Sequence, residues 1–226
     1  MLEERSQEDE IMDDLSISGE VVDQTLKELN TINRTLGGNA ISLALFKKKV
    51  KNHDRVADLG CGGGDIMIDM AKYGRLHSLD LSFTGIDANP NIIRYAESNT
   101  APFPEISYLS IDILGEEFKK LEFDIIHCCL FLHHFSTEQL VSLFSQFRGQ
   151  ASNCVIVNDL HRNIIAYWSI KWLTALFSRS SMVKNDAALS VARGFKKSEL
   201  IDILEKAGIT DYKLKWKWAF RWQLVF

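Results

Sequence analysis

Little in this chain punctuates it. Its 226 residues include three prolines, at positions 90, 102 and 104, so no proline-rich linker divides the chain, and length favours one domain or at most two. The four cysteines, Cys61, Cys128, Cys129 and Cys154, form no CxxC spacing; neither a zinc site nor a thioredoxin-like pair is expected. No run of about 18 uncharged apolar residues occurs, so no membrane span is expected. A basic excess is also missing: 26 Lys and Arg face 30 Asp and Glu, for a formal charge of -4. No broad positive field therefore attracts nucleic acid or an anionic surface, and the cluster Lys47, Lys48, Lys49 and Lys51 reads as a solvated helix end. The start is acidic (Glu3, Glu4, Glu8, Asp9, Glu10, Asp13, Asp14), the opposite of a signal peptide, and a cytoplasmic protein is expected.

What is present is periodicity. Residues 1 to about 10 look disordered at their start. From Ile11 to Phe46 apolar residues recur at helical spacing, broken by Gly37 and Gly38, which predicts two or three helices over 1–50 as an N-terminal cap. From Arg55 short apolar runs alternate with helical stretches. Strands are expected near 55–59, 82–86, 106–111, 123–129 and 153–158, and helices near 64–73, 90–98, 137–147, 162–177 and 198–207. Strands separated by helices imply right-handed crossovers and a doubly wound parallel α/β sheet. Alternation in "YKLKWKW" and the run "AFRWQLVF" add an antiparallel hairpin at the end.

In such sheets ligands bind beyond the carboxyl ends of the strands. "VADLGCGGGD", Val56 to Asp65, stands there, with Asp58, Gly60, Gly62 and Gly64 spaced D-x-G-x-G-x-G. A dinucleotide fingerprint fails because the third glycine position is Asp65, whose charge repels a pyrophosphate, and no Gly-Lys-Ser/Thr follows for a phosphate loop. The acids favour a ligand without phosphate that carries positive charge. Asp87, ending "FTGID", suits two ribose hydroxyls. Asp112, in "YLSIDIL", stands where an adenine amino group would lie.

These segments, with "FTGIDANPNIIRYA", "FDIIHCCLFLHHF" and "CVIVNDLHR" in the same order, resemble the class I S-adenosylmethionine-dependent methyltransferases over roughly Arg55 to Phe226. The resemblance implies a Rossmann-like seven-stranded sheet with an antiparallel last strand, and S-adenosyl-L-methionine as cofactor in a methyltransferase domain of 51–226. It places Asp58, Gly60, Cys61 and Gly62 at the methionine part, Asp87, Ala88 and Asn89 at the ribose, Asp112 and Ile113 at the adenine, and Cys128 and Cys129 along the same wall. More loosely, "EIMDDLSISGEVVDQTLKELNTINRTLGG" and "LFSRSSMVKNDAALSVARGF" resemble small-molecule methyltransferases found beside polyketide pathways, which suggests a phenolic, pyrone-like or quinone-like acceptor.

A base is needed only if the acceptor holds its proton. His133 and His134 follow the fourth strand and His161 follows the fifth, so these three are the catalytic candidates, each weighed against packing; His53, His77 and His127 read as structural. Asn158, Asp159, Arg162 and Arg193 are candidates for acceptor binding, and Asp159 alternatively for a helix cap. Lys184 is a weaker candidate. The fourth strand exits through Cys128, Cys129, Leu130 and Phe131 rather than an Asp/Asn-Pro-Pro-Tyr turn, which argues against a planar amine acceptor. Residues 162–194, dense in aromatics, are expected as an insertion: a helix packed on the core or on a second copy of the chain, or a lid over the acceptor. The rival readings are a macromolecule (RNA or protein) methyltransferase, a dehydrogenase and a non-catalytic cofactor-binding partner.

Overall fold

The apolar runs become a single twisted sheet in a computed structural model that describes residues 2–226. Five strands run parallel: β1 (Arg55–Leu59), β2 (Ser82–Asp87), β3 (Ile106–Ser110), β4 (Phe123–Cys129) and β5 (Ala151–Leu160). The hairpin β6 (Lys213–Lys217) and β7 (Arg221–Val225) joins antiparallel, giving the order β3-β2-β1-β4-β5-β7-β6. The order reverses between β1 and β4, so the crevice that accepts a ligand opens above those two strands.

Helices cover both faces because both faces are apolar. On one, α5 (Thr137–Gln150) and α8 (Lys197–Lys206) bury Leu143, Phe144, Leu200 and Ile203 against β4 and β5. On the other, α2 (Gly38–Lys49) and α3 (Asp65–Leu76) bury Phe46, Met67 and Met70 against Val56, Phe83 and Ile125. Local chemistry sets the helix starts. Pro90 occupies the first turn of α4 (Pro90–Thr100) and Asn89 Oδ1 accepts from the Asn91 amide; Ser136 and Gln139 form a reciprocal capping box on α5, satisfying donors the helix leaves free. α8 begins at Lys197, with Glu199 accepting from the Lys196 amide.

Three expectations change. Residues 1–50 are not one cap: α2 belongs to the sheet, its Phe46 fully buried in the core, while α1 (Glu20–Thr35) packs across α2 and α4. The first residues are tied down, since Arg5 donates from Nη2 to the His133 and Phe135 carbonyls and from Nε to that of Arg193. The insertion holds two helices, α6 (Ile164–Phe177) and α7 (Ser181–Arg193). Ser180 caps α7, and Glu28 of α1 accepts from the Ser178 hydroxyl and the Arg179 amide at the turn between them. Among the described residues no helix is long and apolar enough to cross a membrane.

Candidate active site

Strand register assembles the site. The parallel pairing of β1 with β4 sets Asp58 beside His127, and His127 Nδ1 donates to Asp58 Oδ1 at 2.6 Å. Both groups are buried, and Asp58 Oδ2 has no hydrogen-bond partner. That carboxylate is thus held from behind with one oxygen free for a donor. Above it the glycine loop curls through positive φ, +63° at Gly60 and +50° at Gly62, a region open to glycine at little steric cost. A Cβ on Gly60 would meet the Phe131 ring at 2.2 Å, whereas one on Gly62 would meet nothing nearer than Leu26 at 3.8 Å. The loop therefore serves two ends: Gly60 lets Phe131 pack, and Gly62 keeps the main chain open.

Asp87 ends β2 with Oδ1 accepting from the Asn89 amide at 2.9 Å. Burial raises its carboxyl to about 6, against the pull of the Asn89 and Gly62 amides. Asp112 Oδ1 accepts from the Leu114 amide at 2.9 Å, shaping the turn after β3. Asp58, Gly60, Cys61, Gly62, Asp87, Ala88, Asn89, Asp112, Ile113 and Cys129 all line one cavity of about 480 Å³, within the range of small-molecule sites. The far wall is made by Phe131, His134, Phe135 and the helices α1 and α7.

The histidines differ from one another. His133 is buried with Nδ1 2.7 Å from Asp159 Oδ1 and Nε2 3.5 Å from Glu10 Oε1. Burial acts to strip its proton, but the two carboxylates outweigh this and raise it to about 9. Burial likewise pushes Asp159 up, and the charge and hydrogen bond of His133 hold it below the usual carboxylate range. His133 is thus a charged strut at neutral pH, unsuited to accept a proton. His134 is half-buried and lines the cavity, its Nδ1 donating to Asp13 Oδ1 at 2.6 Å. Its Nε2 is then the ring's free acceptor.

The remaining candidates do not reach the cavity wall. His161 is turned to the hairpin, its Nδ1 accepting from Trp216 Nε1 at 3.2 Å. Asn158 is buried, donating to the Gly38 carbonyl and the Ser42 hydroxyl of α2. Arg162 is buried between Glu199 and the Gly194 carbonyl. Arg193 pairs with Asp13 at 2.6 Å and donates to the His133 and His134 carbonyls. Asp159 supports the site from below, accepting from the Leu132 amide as well as His133. Cys128 points into the core, because alternate residues of a strand face opposite sides. Lys184 lies exposed on α7.

Residues that sequence reasoning missed come from the N-terminal segment. Glu10 and Asp13 meet His133 and His134 across more than a hundred residues of chain, and Asp186 holds the Ile11 and Met12 amides. One ligand atom each of Glu10, His133 and His134 lie within 4.8 Å of one another. The chemistry there is already that of an ion-pair cluster: Glu10, Asp13 and Asp159 face His133, Arg5 and Arg193, with Arg193 Nε 4.0 Å from Glu10 Oε1. A divalent ion would add charge that nothing balances.

The methyltransferase-domain family matches residues 56–150, from β1 through α5. Over that stretch, less than half of its length, the chain is similar to a methyltransferase domain. It is 31% identical over 122 residues to an uncharacterised methyltransferase of Synechocystis sp., covering 53% of each chain; the match thus spans about half of that protein's length. It is 22% identical over 191 residues, 77% of each chain, to carboxy-S-adenosyl-L-methionine synthase of Campylobacter jejuni. Among solved structures, the plantazolicin methyltransferase in complex with SAH superposes with a TM-score of 0.65 over 90% of this chain and 87% of that one, at 16% identity, which shows the shared fold. The residues present fit the methyltransferase cofactor, S-adenosylmethionine: a buried carboxylate oxygen without a partner at Asp58, a main chain left open at Gly62, and a second acid, half-buried, in the cavity wall at Asp87.

Proposed function

We propose that the protein transfers a methyl group from S-adenosylmethionine to an oxygen, or an acidic carbon, of a small hydrophobic acceptor bound in the same cavity. One observation carries this reading: a single cavity joins the acids of the β1, β2 and β3 ends to a wall of Leu130, Phe131, His134 and Phe135. In this reading Asp58 and the glycine loop take the methionine part, Asp87 the ribose hydroxyls, and Asp112 with Ile113 the adenine side. The bound cofactor supplies an electrophilic methyl group, and aligning it with the acceptor in a dry site supplies most of the rate.

Asp13 fixes His134 as the tautomer protonated on Nδ1, and Nε2 takes the proton of a phenol or enol as the new bond to carbon forms. His133, charged and clamped, holds the β4 exit in place. The aromatic wall supports a planar apolar acceptor of phenolic, pyrone-like or quinone-like kind. α7 and the N-terminal residues, which close over the cavity, support a small molecule over RNA or protein.

Calorimetric titration with S-adenosylmethionine and separately with NADH tests the first half; micromolar binding of the former alone is expected. Release of S-adenosylhomocysteine with a panel of phenols and hydroxyquinones tests the second. Binding without turnover on the panel would favour a non-catalytic partner, and turnover on RNA or protein alone would move the acceptor.

A further inference from the structure

α6 turns the wrong face outward for a helix in water. It buries only Ala166 and Thr174, while Ile165, Trp168, Trp172, Leu176 and Phe177 are exposed, Trp172 at 65% and Phe177 at 77%. Its exposed polar side chains are Ser169 and Lys171 alone. Contiguous apolar surface of this kind needs a cover. The β6–β7 hairpin extends it, with Trp216 and Trp218 exposed. The Trp216–His161 hydrogen bond and the His161 amide donating to the Phe220 carbonyl at 2.9 Å set that hairpin against the chain entering α6.

Charge says what the cover is. From His161 to Asn185 the chain has Arg162, Lys171, Arg179 and Lys184 and no acid, and from Tyr212 to Phe226 it has Lys213, Lys215, Lys217 and Arg221 and no acid. Arg162 and Arg221 are buried, and the other six reach the surface. In a protein of formal charge -4 these two stretches are thus cationic and carry exposed tryptophans, the mix of Lys, Arg and Trp that suits the headgroup level of an anionic bilayer; Arg179 stands beside Glu20 and Asp23 and adds least to it. A second copy fits less well, because a two-fold interface would set these cations against themselves.

We propose that α6 and the β6–β7 hairpin dock on the surface of an anionic phospholipid bilayer. The 14 residues of α6 extend about 21 Å, short of the roughly 30 Å hydrocarbon core, so the helix lies on the membrane. Because α6 packs on α7, which lines the cavity, the docked face stands one helix from the acceptor site.

Co-sedimentation of the full chain with vesicles tests this. The chain should pellet with vesicles of equal parts phosphatidylcholine and phosphatidylglycerol, much less with phosphatidylcholine alone, and less as salt rises. Trp172→Glu combined with Leu176→Glu should lower the partitioning about tenfold or more, with S-adenosylmethionine binding by calorimetry unchanged as proof that the domain is intact. No pelleting with anionic vesicles, or equal pelleting of the variant, would overturn the proposal. So would a wild-type dimer in sedimentation equilibrium that the double variant abolishes while vesicles bind neither form.

Discussion

Affinity for S-adenosylmethionine should fall with acid because of one half-buried side chain. Asp87 titrates near 6 rather than 3.8, burial being the main cause, a difference worth about 3 kcal/mol between its two protonation states. The sign follows for stability first: a carboxyl whose pKa rises on folding favours the fold below 3.8 and loses that contribution as pH rises through about 6. The ligand-free protein therefore carries a penalty near pH 7. In the proposed placement binding reverses the preference, since the ribose hydroxyls would donate to the ionised form. At pH about 5 only about a tenth of the molecules have Asp87 ionised, so Kd should weaken about tenfold relative to pH about 7.5. Calorimetry at both pH values, repeated in buffers of different ionisation enthalpy, reads Kd and the proton released. Asp87→Asn should bind about ten- to a hundredfold more weakly at pH 7.5, having lost a charged acceptor, and its Kd should be flat over this range. A wild-type Kd that does not move with pH, or a variant as tight as wild type, would refute the placement of the ribose at Asp87.

Two further outcomes separate the adjacent histidines. His134→Gln should lower turnover about 10²- to 10⁴-fold with S-adenosylmethionine affinity within about twofold, and Asp13→Asn should lower it less by unfixing the tautomer; equal turnover in stopped assays of S-adenosylhomocysteine would return His134 to packing. His133→Gln should instead destabilise the fold by about 3–5 kcal/mol, because Asp159 stays buried without its counter-charge. The pH dependence of that stability is signed: His133 rises from 6.5 to about 9 on folding, so its contribution is full below 6.5 and disappears as pH climbs through about 9. Thermal denaturation of the wild type should weaken across that window, and a wild-type profile that stays as flat as the variant's would show that His133 is not charged.

Legibility in the sequence follows the range over which each feature is determined. The five parallel strands and their helices fall within a few residues of the periodicity reading, because burial on both faces writes itself into consecutive residues. Asp87 and Asp112 are found for the same reason, each standing at the end of such a run. The split of the insertion into α6 and α7 is marked by Ser178 and Ser180, but what stops the first helix is Glu28, 150 residues earlier in the chain, accepting from the turn. No local window contains that contact.

The histidine region shows the limit most sharply. "LFLHHF" identifies two imidazoles beside the expected methyl group, and nothing in those six residues distinguishes them. What separates them is the company each keeps: Asp159 and Glu10 on His133, Asp13 on His134. One of these acids stands across β4 and β5, where parallel register makes it a neighbour, and is accessible to sequence reasoning once the strands are aligned. The other two come from an acidic N-terminal stretch whose composition reads as a solvated tail. In that stretch Glu10 and Asp13 meet His133 and Arg193, and Arg5 ties it to the main chain, so its acids acquire meaning from cations found elsewhere in the chain. Arg193 shows the same logic in reverse: a lone arginine near the acceptor reads as a ligand for an anion until the structure reveals that Asp13 already occupies it. A charged residue's role is fixed by which opposite charge reaches it first, and over such distances only the folded chain supplies that answer.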